Sequence, residues 1–238
     1  YMIEESYNKD KKVIQYRCEK YKDTIDINKQ NNDGYTEFTL EAQYTNIELL
    51  HVIYNSFKNK IDINAEFMQA VEKLHVTILD SLYTAFKDLI DINAIFKKMI
   101  LTNTNVNVIK IICDTFKNEI DINKQNNYGN NVFMLAARYN TNTEIIHYLY
   151  NTFKNTININ TVNKYSYTAF MLAAQNNTNI AVIQYLCDTF KDTIDINIRN
   201  NTDGNNALMY AVRYNTNVEV IQYLCDIYKN TIDINKQS

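Results

Sequence analysis

The chain is built from one short block of sequence that recurs seven times. The block reads aromatic, Lys, two variable residues, Ile and then Asp-Ile-Asn, as in residues 190–197, and only Asn158 replaces the aspartate. Successive block isoleucines are separated by 36, 29, 30, 37, 37 and 38 residues. A fixed period of this size is typical of proteins made of stacked repeats. The chain is therefore predicted to grow by repeats, each packed on its neighbours, rather than around one central core.

The repeats differ in length in a regular way. Four are complete, with a turn, a short helix, a loop, a longer helix and the block. Two are about seven residues shorter because they lack the Asn/Gly-rich turn segment, and the first is partial. The whole chain is predicted to be a single array and a fragment of a longer one. Its predicted repeats are residues 1–28 (partial), 29–64, 65–93 and 94–123 (both short), 124–160, 161–197 and 198–235.

Apolar residues recur at helical spacing within each repeat, with a period of 3.6 residues. The aromatic and Ile of each block lie four residues apart, so they share a helical face and are predicted to pack against a neighbouring repeat. Asn64 and Asn93 are predicted to cap the short helices of the two short repeats. The end of a first helix is expected at residues 1–6. The other predicted helices include residues 13–23, 36–44, 47–57, 65–74, 75–86, 94–101, 106–116, 168–176 and 180–192.

Composition excludes several classes of function. The net charge is −3 and the charges alternate in sign, so we expect neither nucleic-acid binding nor attraction to an anionic membrane. No apolar run approaches the ~18–20 residues that a membrane span needs. The frequent use of Asn and Ile is interpreted as compositional bias rather than disorder, because the apolar periodicity is regular.

The four cysteines, Cys18, Cys113, Cys187 and Cys225, each lie three residues before a block aromatic. They therefore occupy one position on equivalent helices, and only Cys187 and Cys225 lie in adjacent repeats. Packed helices lie ~8–10 Å apart, whereas a disulfide needs Cα atoms within roughly 7 Å. The cysteines are predicted to be buried free thiols, which favours an intracellular, cytoplasmic protein.

No catalytic or metal-binding pattern is visible. His51, His75 and His147 are scattered and lack a nucleophile or carboxylate in register. The glycines share one turn position, where Ser166 stands in the sixth repeat, and are predicted to supply a positive φ rather than a phosphate loop. The asparagine that ends each block is predicted to bond turn backbone. The chain is thus predicted not to be an enzyme and to need no cofactor or metal.

The repeats resemble ankyrin repeats. The likeness is carried by residues 203–212, 218–224 and 233–235, and by the Phe-Met-Leu-Ala-Ala runs at residues 133–137 and 170–174. The family's Thr-Pro-Leu-His is replaced throughout, and the complete repeats run to 36–38 residues instead of about 33. The composition is also similar to that of ankyrin arrays from large DNA viruses of amoebae and from protists. The resemblance implies an all-α, ankyrin-like helical solenoid with short turn fingers on one edge.

The resemblance also implies a non-catalytic scaffold that binds a protein partner through its concave face and turn fingers. Tyrosines are frequent where ankyrin proteins contact partners, although Tyr16, Tyr185 and Tyr223 are predicted to lie in the core. A single finger precedes the short repeats at residues 32–35. Three contiguous fingers, at residues 127–130, 164–167 and 202–205, follow the short repeats and are predicted to dock the partner. The candidate partner-binding residues are Tyr128, Asn130, Arg138, Tyr139, Lys164, Tyr165, Tyr167, Asp203, Asn205, Arg213 and Tyr214.

Two further expectations concern the ends of the array. The alternative function is that of an adaptor, which recruits substrates to a ubiquitin ligase, or of another host-directed effector. In that case a second, functional domain is expected outside this chain. Incomplete end repeats also predict fraying of residues 1–12 or end-to-end self-association.

Overall fold

The described part of the chain is helical throughout. The computed structural model describes residues 11–44, 46–102 and 105–229, and the helix end predicted at residues 1–6 lies outside them. These residues form no strand and only one isolated bridge, between Gln30 and Thr36. The all-α fold predicted from the sequence is confirmed. The chain divides after Asp91 into two compact parts, called unit 1 and unit 2.

Unit 1 contains five α-helices among its described residues. Short α2 packs on long α3 and α5, and α3 lies between α1 and α5. A 3-10 turn, Lys87–Leu89, follows α5. The helices are α1 (Lys11–Tyr21), α2 (Glu37–Gln43), α3 (Ile47–Phe57), α4 (Ile63–Glu72) and α5 (Val76–Phe86).

Unit 2 consists of two rows of helices. The short helices α6, α8, α10 and α12 pack in sequence, and the long helices α7, α9, α11 and α13 form a second row. The short-row helices are α6 (Ile92–Leu101), α8 (Val132–Tyr139), α10 (Ala169–Asn176) and α12 (Ala207–Tyr214). The long-row helices are α7 (Val106–Phe116), α9 (Thr143–Phe153), α11 (Ile180–Thr189) and α13 (Val218–Tyr228).

The predicted helix caps of the short repeats are wrong. α4 begins at Ile63, and the Asp62 carboxylate accepts hydrogen bonds from the backbone N–H groups of Asn64 and Ala65, at 3.0 and 3.1 Å. α6 likewise begins before Asn93. The block aspartate caps α4 because it stands one residue before the helix, and the asparagines bond to other backbone groups instead.

Helix α11 ends earlier than predicted, whereas α3, α5 and α7 end at the predicted residue. α11 stops at Thr189 rather than at residue 192, because the Phe190 carbonyl accepts hydrogen bonds from the N–H groups of Thr193 and Ile194, at 2.9 and 2.7 Å. The block is thus a tight turn that follows the helix, and it directs the chain back towards the next finger.

The block aromatics are inserted between the two helices of the preceding repeat. Phe190 lies 6.1 Å from Phe133 of α8 and 4.7 Å from Tyr150 of α9, measured between ring centroids. The equivalent aromatic at position 86 makes the same kind of contact with α2 and α3. Tyr21, at the end of α1, is the most exposed of the described block aromatics, at 37%.

The block asparagines connect each repeat to the next. The Asn160 side chain donates to the Thr193 carbonyl at 2.6 Å and accepts from the Asp195 N–H at 3.0 Å. Four other block asparagines make the same bond. Each donates to the backbone carbonyl of the residue just before the next block isoleucine: Asn28, Asn64, Asn93 and Asn123. Block asparagine and turn backbone are therefore paired as predicted, and the turn belongs to the following repeat.

A second asparagine ladder runs in the opposite direction along the ends of the short helices. Asn177 donates to the carbonyls of Ala137 and Asn140, at 2.9 and 3.0 Å, in the preceding repeat. Asn215 repeats this arrangement one repeat later. Interpreting asparagine as compositional bias was therefore incomplete, because these side chains satisfy helix-end carbonyls that would otherwise lack partners.

The thiols and tyrosines show where the core ends. Cys18, Cys113 and Cys187 are buried and free, and burial raises the pKa of the Cys113 thiol to about 12. Cys225 is also free but is exposed, contrary to the prediction. Tyr16 was wrongly predicted to be core, since it is 60% exposed.

The other two tyrosines predicted to be core, Tyr185 and Tyr223, are only half-buried. The ring of Tyr185 packs on that of His147 at 3.7 Å, between neighbouring long helices near their surface. This tyrosine position therefore lies between long helices rather than in the interior.

Removing a block aromatic should destabilise the array. Phe190→Ala deletes a ring that is 5% exposed, and we expect unfolding free energy to fall by about 3–5 kcal/mol. Tyr21→Ala is the matched control, because it occupies the equivalent, exposed position and should cost less than about 1 kcal/mol. Chemical denaturation followed by circular dichroism measures both. Equal losses for the two variants would contradict the contact with the preceding repeat.

Breaking the short-helix ladder should also cost stability. Asn177→Ala removes two donated hydrogen bonds and leaves buried carbonyls unpaired, so we expect a loss of about 1–3 kcal/mol. Asn176→Ala, at the exposed neighbouring position, should change stability by no more than about 0.5 kcal/mol. The same denaturation measurement decides, and an Asn177 variant as stable as its control would show that the ladder contributes nothing.

Candidate protein-interaction surface

Unit 2 carries three closed turns, called the fingers, at residues 126–130, 163–167 and 200–205. Each opens with an asparagine whose side-chain oxygen accepts two backbone N–H groups; Asn163, for example, accepts from Tyr165 and Tyr167, both at 2.9 Å. Near its end each finger needs a residue with positive φ, which is +80° at Gly129 and +61° at Ser166. The turn position predicted from the glycines is therefore occupied in the same conformation by serine.

Neighbouring fingers are bonded to one another. The Lys164 N–H donates to the Tyr128 carbonyl at 3.2 Å, and the Asn163 amide donates to the Asn130 side chain at 2.7 Å. A Cβ added to Gly129 would lie 2.5 Å from the Lys164 nitrogen, so only glycine permits this approach. The Asn200 amide in turn donates to the Tyr165 carbonyl. The three fingers thus form one continuous edge.

Aromatic rings follow this edge. Tyr128 and Tyr165 stand at the tips of the first two fingers, are 61% and 50% exposed, and have ring centroids 6.5 Å apart. Tyr167 is half-buried and packs on Tyr210 at 4.9 Å. Tyr210 is in turn stacked on Tyr214, at the end of α12, at 6.1 Å. The structure therefore brings the predicted tyrosines of two fingers together and connects the second finger to α12.

The third finger has a different residue at its tip. Asp203 occupies the position of Tyr128 and Tyr165, and it accepts a 2.5 Å hydrogen bond from the buried Tyr210 hydroxyl. Tyr210 itself replaces a leucine, Leu172 in the preceding repeat. Asp203 and Tyr210 thus both differ from the residues at the equivalent positions of the preceding repeats. This double difference within one repeat was the sequence signal that could have revealed their contact.

The charge on Asp203 is maintained by its neighbours. Partial burial acts to raise its pKa, but hydrogen bonds from Tyr210 and Asn205, with the positive charge of Arg213, leave the pKa below its ordinary value. Burial and the hydrogen bond to Asp203 raise the pKa of Tyr210, which stays a neutral donor. The third finger therefore presents an ionised carboxylate beside the aromatic edge.

Two arginine–tyrosine pairs lie at the ends of short helices. The Arg138 guanidinium is 4.8 Å from the Tyr139 ring centroid, and Arg213 is 5.1 Å from that of Tyr214. Both distances fit cation–π contacts. The pairs are not brought into direct contact, because α10 lies between α8 and α12.

The remaining predicted site residues are placed differently. Lys164 is exposed beside the tip of the second finger. Asn130 is only 5% exposed, with its side chain bonded to Asn163, so it holds two fingers together. Asn205 is half-buried, and its N–H donates to Asp203 at 3.3 Å. The last two therefore shape the edge from within.

The finger of unit 1, residues 31–35, is held by side chains of α4. Gln69 donates to the Gly34 carbonyl at 2.5 Å, and the Lys73 amine donates to the Asp33 carbonyl. The Lys73 amine also lies 3.8 Å from the centroid of the Tyr35 ring. The short repeat that lacks its own finger thus covers the preceding one.

A buried carboxylate joins α4 to the start of α2. Glu66 is 7% exposed and accepts hydrogen bonds from the hydroxyls of Thr36, at 2.8 Å, and Thr39. Burial raises the pKa of Glu66, with a smaller contribution from Asp62, although the two threonine bonds act to lower it. The protonated form is therefore favoured by folding.

Three other features could point to a different function in the described residues: metal-binding clusters, histidine sites and membrane-spanning helices. They contain no cluster of three His, Cys, Asp or Glu side chains that could hold a metal ion. His51 and His147 are exposed and pack on rings of neighbouring repeats. None of the described helices is long and apolar enough to cross a bilayer.

Comparison with known families agrees with this architecture. The family model described as ankyrin repeats (3 copies) matches residues 153–238. That region is thus made of ankyrin repeats, which confirms the family predicted from the sequence. No curated protein matches the chain. Ankyrin repeats are generally protein–protein interaction modules without catalytic activity.

Neutralising Glu66 should stabilise the protein in a pH-dependent way. Because its pKa is raised in the folded state, the wild type loses stability as pH rises above glutamate's ordinary pKa of about 4.3. Glu66→Gln should therefore raise the melting temperature at pH 7, and the difference should vanish at about pH 3.5. Glu72→Gln, on the exposed side of α4, is the control and should change little. A destabilised Glu66→Gln variant at pH 7 would show that the charged form is the one required.

Proposed function

We propose that unit 2 is a non-catalytic scaffold that binds a protein partner through its fingers and the ends of its short helices. The observation that carries this proposal is the pair of exposed tyrosines at adjacent finger tips, Tyr128 and Tyr165. We call this region the finger surface. Its exposed or half-exposed members are Tyr128, Arg138, Tyr139, Lys164, Tyr165, Tyr167, Asp203, Arg213 and Tyr214.

The composition of the finger surface suits protein recognition. Tyrosine and arginine are the residues most enriched among interface hot spots. A tyrosine ring adds a large contact area with few rotatable bonds, so little side-chain entropy is lost on binding. Arg138 and Arg213 are in addition already placed against tyrosine rings. A partner would meet several anchors whose positions are set in advance.

The backbone beneath these anchors is equally well fixed. Asn126 and Asn163 close their fingers from within, and the bond between Lys164 and Tyr128 joins the two fingers. Binding therefore requires little ordering of the loops, a cost that otherwise reduces affinity.

The finger of unit 1 is a poorer candidate. Tyr35 is half-buried, with the Lys73 amine over its ring and the His75 ring 6.0 Å away. A partner at this site would have to compete with these intramolecular contacts.

Truncating the two tip tyrosines should weaken binding without unfolding the protein. We expect Tyr128→Ala with Tyr165→Ala to lower partner affinity by at least ~2 kcal/mol, the scale of interface hot spots. The partner is first captured by affinity purification of the full-length chain from its native cell and identified by mass spectrometry. Titration calorimetry with that protein then compares the variants.

Tyr44→Ala is the matched control for this experiment. Tyr44 is 56% exposed, similar to the two tips, but it lies at the end of α2 in unit 1. It should leave affinity unchanged, as should Tyr35→Ala. Unchanged affinity in a folded tip variant would reject the finger surface as the binding site.

A further inference from the structure

Charge is segregated between the two sides of unit 2. One side consists of the fingers and short helices, in residues 124–140, 161–177 and 198–215. The other consists of the long helices and blocks, in residues 141–160, 178–197 and 216–229, and holds three lysines against six acids. On the finger side the only carboxylate is Asp203, and the cations are Lys124, Arg138, Lys164, Arg199 and Arg213.

This excess of cations is specific to unit 2. The equivalent segment of unit 1, residues 29–44, has one lysine against three acids, Asp33, Glu37 and Glu41. The chain as a whole has a net charge of −3. The basic character of the finger side is therefore local and contrary to the overall charge.

The cations lie beside the exposed rings of the finger surface. Lys164 joins the first two finger tips. Its N–H donates to the Tyr128 carbonyl, and it is the residue immediately before Tyr165. Arg138 and Arg213 lie over Tyr139 and Tyr214. The Nε atom of Arg138 is buried and has no hydrogen-bond partner within the described structure. Aromatic area and positive charge thus alternate along the surface.

We propose that the partner of the finger surface is an acidic protein segment in which carboxylates alternate with apolar side chains; this rests on the proposed function. Its carboxylates pair with Arg138, Lys164 and Arg213, and its apolar side chains lie on the tyrosine rings. Complementary charge of this kind steers the encounter and fixes the register of binding.

A protein segment fits better than a nucleic acid. The ionised Asp203 stands at a finger tip, within the electrostatic reach of Arg213, where it would repel a continuous phosphate backbone. A peptide can instead place a hydroxyl or a backbone N–H opposite that carboxylate, since both are hydrogen-bond donors.

The test compares two sets of charge-removing variants, each of which removes the same number of positive charges. The first is Arg138→Gln, Lys164→Gln and Arg213→Gln on the finger surface. The second is the control, in which the exposed block lysines Lys117, Lys154 and Lys191 are all changed to Gln. Circular dichroism establishes that each variant is folded. The probe is a fluorescein-labelled peptide of alternating Glu and Leu, read by fluorescence anisotropy, beside a Lys-Leu peptide and a single-stranded DNA oligonucleotide.

The expected result is binding of the Glu-Leu peptide but not the Lys-Leu peptide, weakened by salt. The finger set should reduce that affinity at least about tenfold and the control set less than about twofold. Equal losses in both sets, no binding of the Glu-Leu peptide, or tighter binding of the DNA would overturn the proposal. So would concentration-dependent dimers abolished by the finger set, which would make a second copy of the chain the occupant.

The captured partner separates this proposal from the proposed function. If the Tyr128/Tyr165 variant loses that partner while the finger set retains it, the finger surface binds a protein that is not acidic, and only the further inference fails. If both variants retain it, the proposed function fails as well.

Discussion

The array depends on asparagine side chains that bond backbone groups of the adjacent repeat. Stacking repeats brings loops and helix ends side by side, and their N–H and C=O groups are then withdrawn from water. Each such group that stays unpaired costs about 1–3 kcal/mol. An amide can donate and accept at once, so the buried Asn177 donates to two carbonyls of the preceding repeat and accepts from the Asn179 N–H. Asparagine is therefore frequent here for a structural reason.

The hydrophobic contacts and the hydrogen bonds specify the same register. Phe190 enters between α8 and α9 of the preceding repeat, and three residues later the chain offers the Thr193 carbonyl to Asn160. A slip of one residue would break both contacts. Each finger begins a few residues after a block, so the register of the block also fixes the position of the finger. The exposed tyrosines of the fingers are therefore held in place.

Much of the fold could be predicted from the sequence because the signals recur. The bounds of α3 and α7 agree with the prediction to the residue, since apolar spacing marks both ends. The caps of α4 and α6 were missed because Asp and Asn are both good caps, and spacing alone does not choose between them. Tyr16 was misplaced because an apolar position on a helix becomes core only if a neighbouring helix covers it.

The surface was harder to predict than the fold. The position of the fingers followed from glycine, but the burial of Asn130 and the contact between Asp203 and Tyr210 depend on neighbouring repeats. The pattern shared by all repeats does not indicate such contacts. They are indicated only where one repeat differs from the others at two positions at once, as at Asp203 and Tyr210.

The two asparagine ladders run in opposite directions, with Asn160 donating forwards and Asn177 donating backwards. Repeat 124–160 therefore both donates to and accepts from each of its two neighbours: Asn140 and Asn160 donate outwards, and its carbonyls accept from Asn123 and Asn177. The hydrogen bonding depends on register within a repeat and not on how many repeats there are. Such a chain can gain or lose whole repeats during evolution without leaving a polar group unpaired, whereas a deletion of a few residues interrupts both ladders at once.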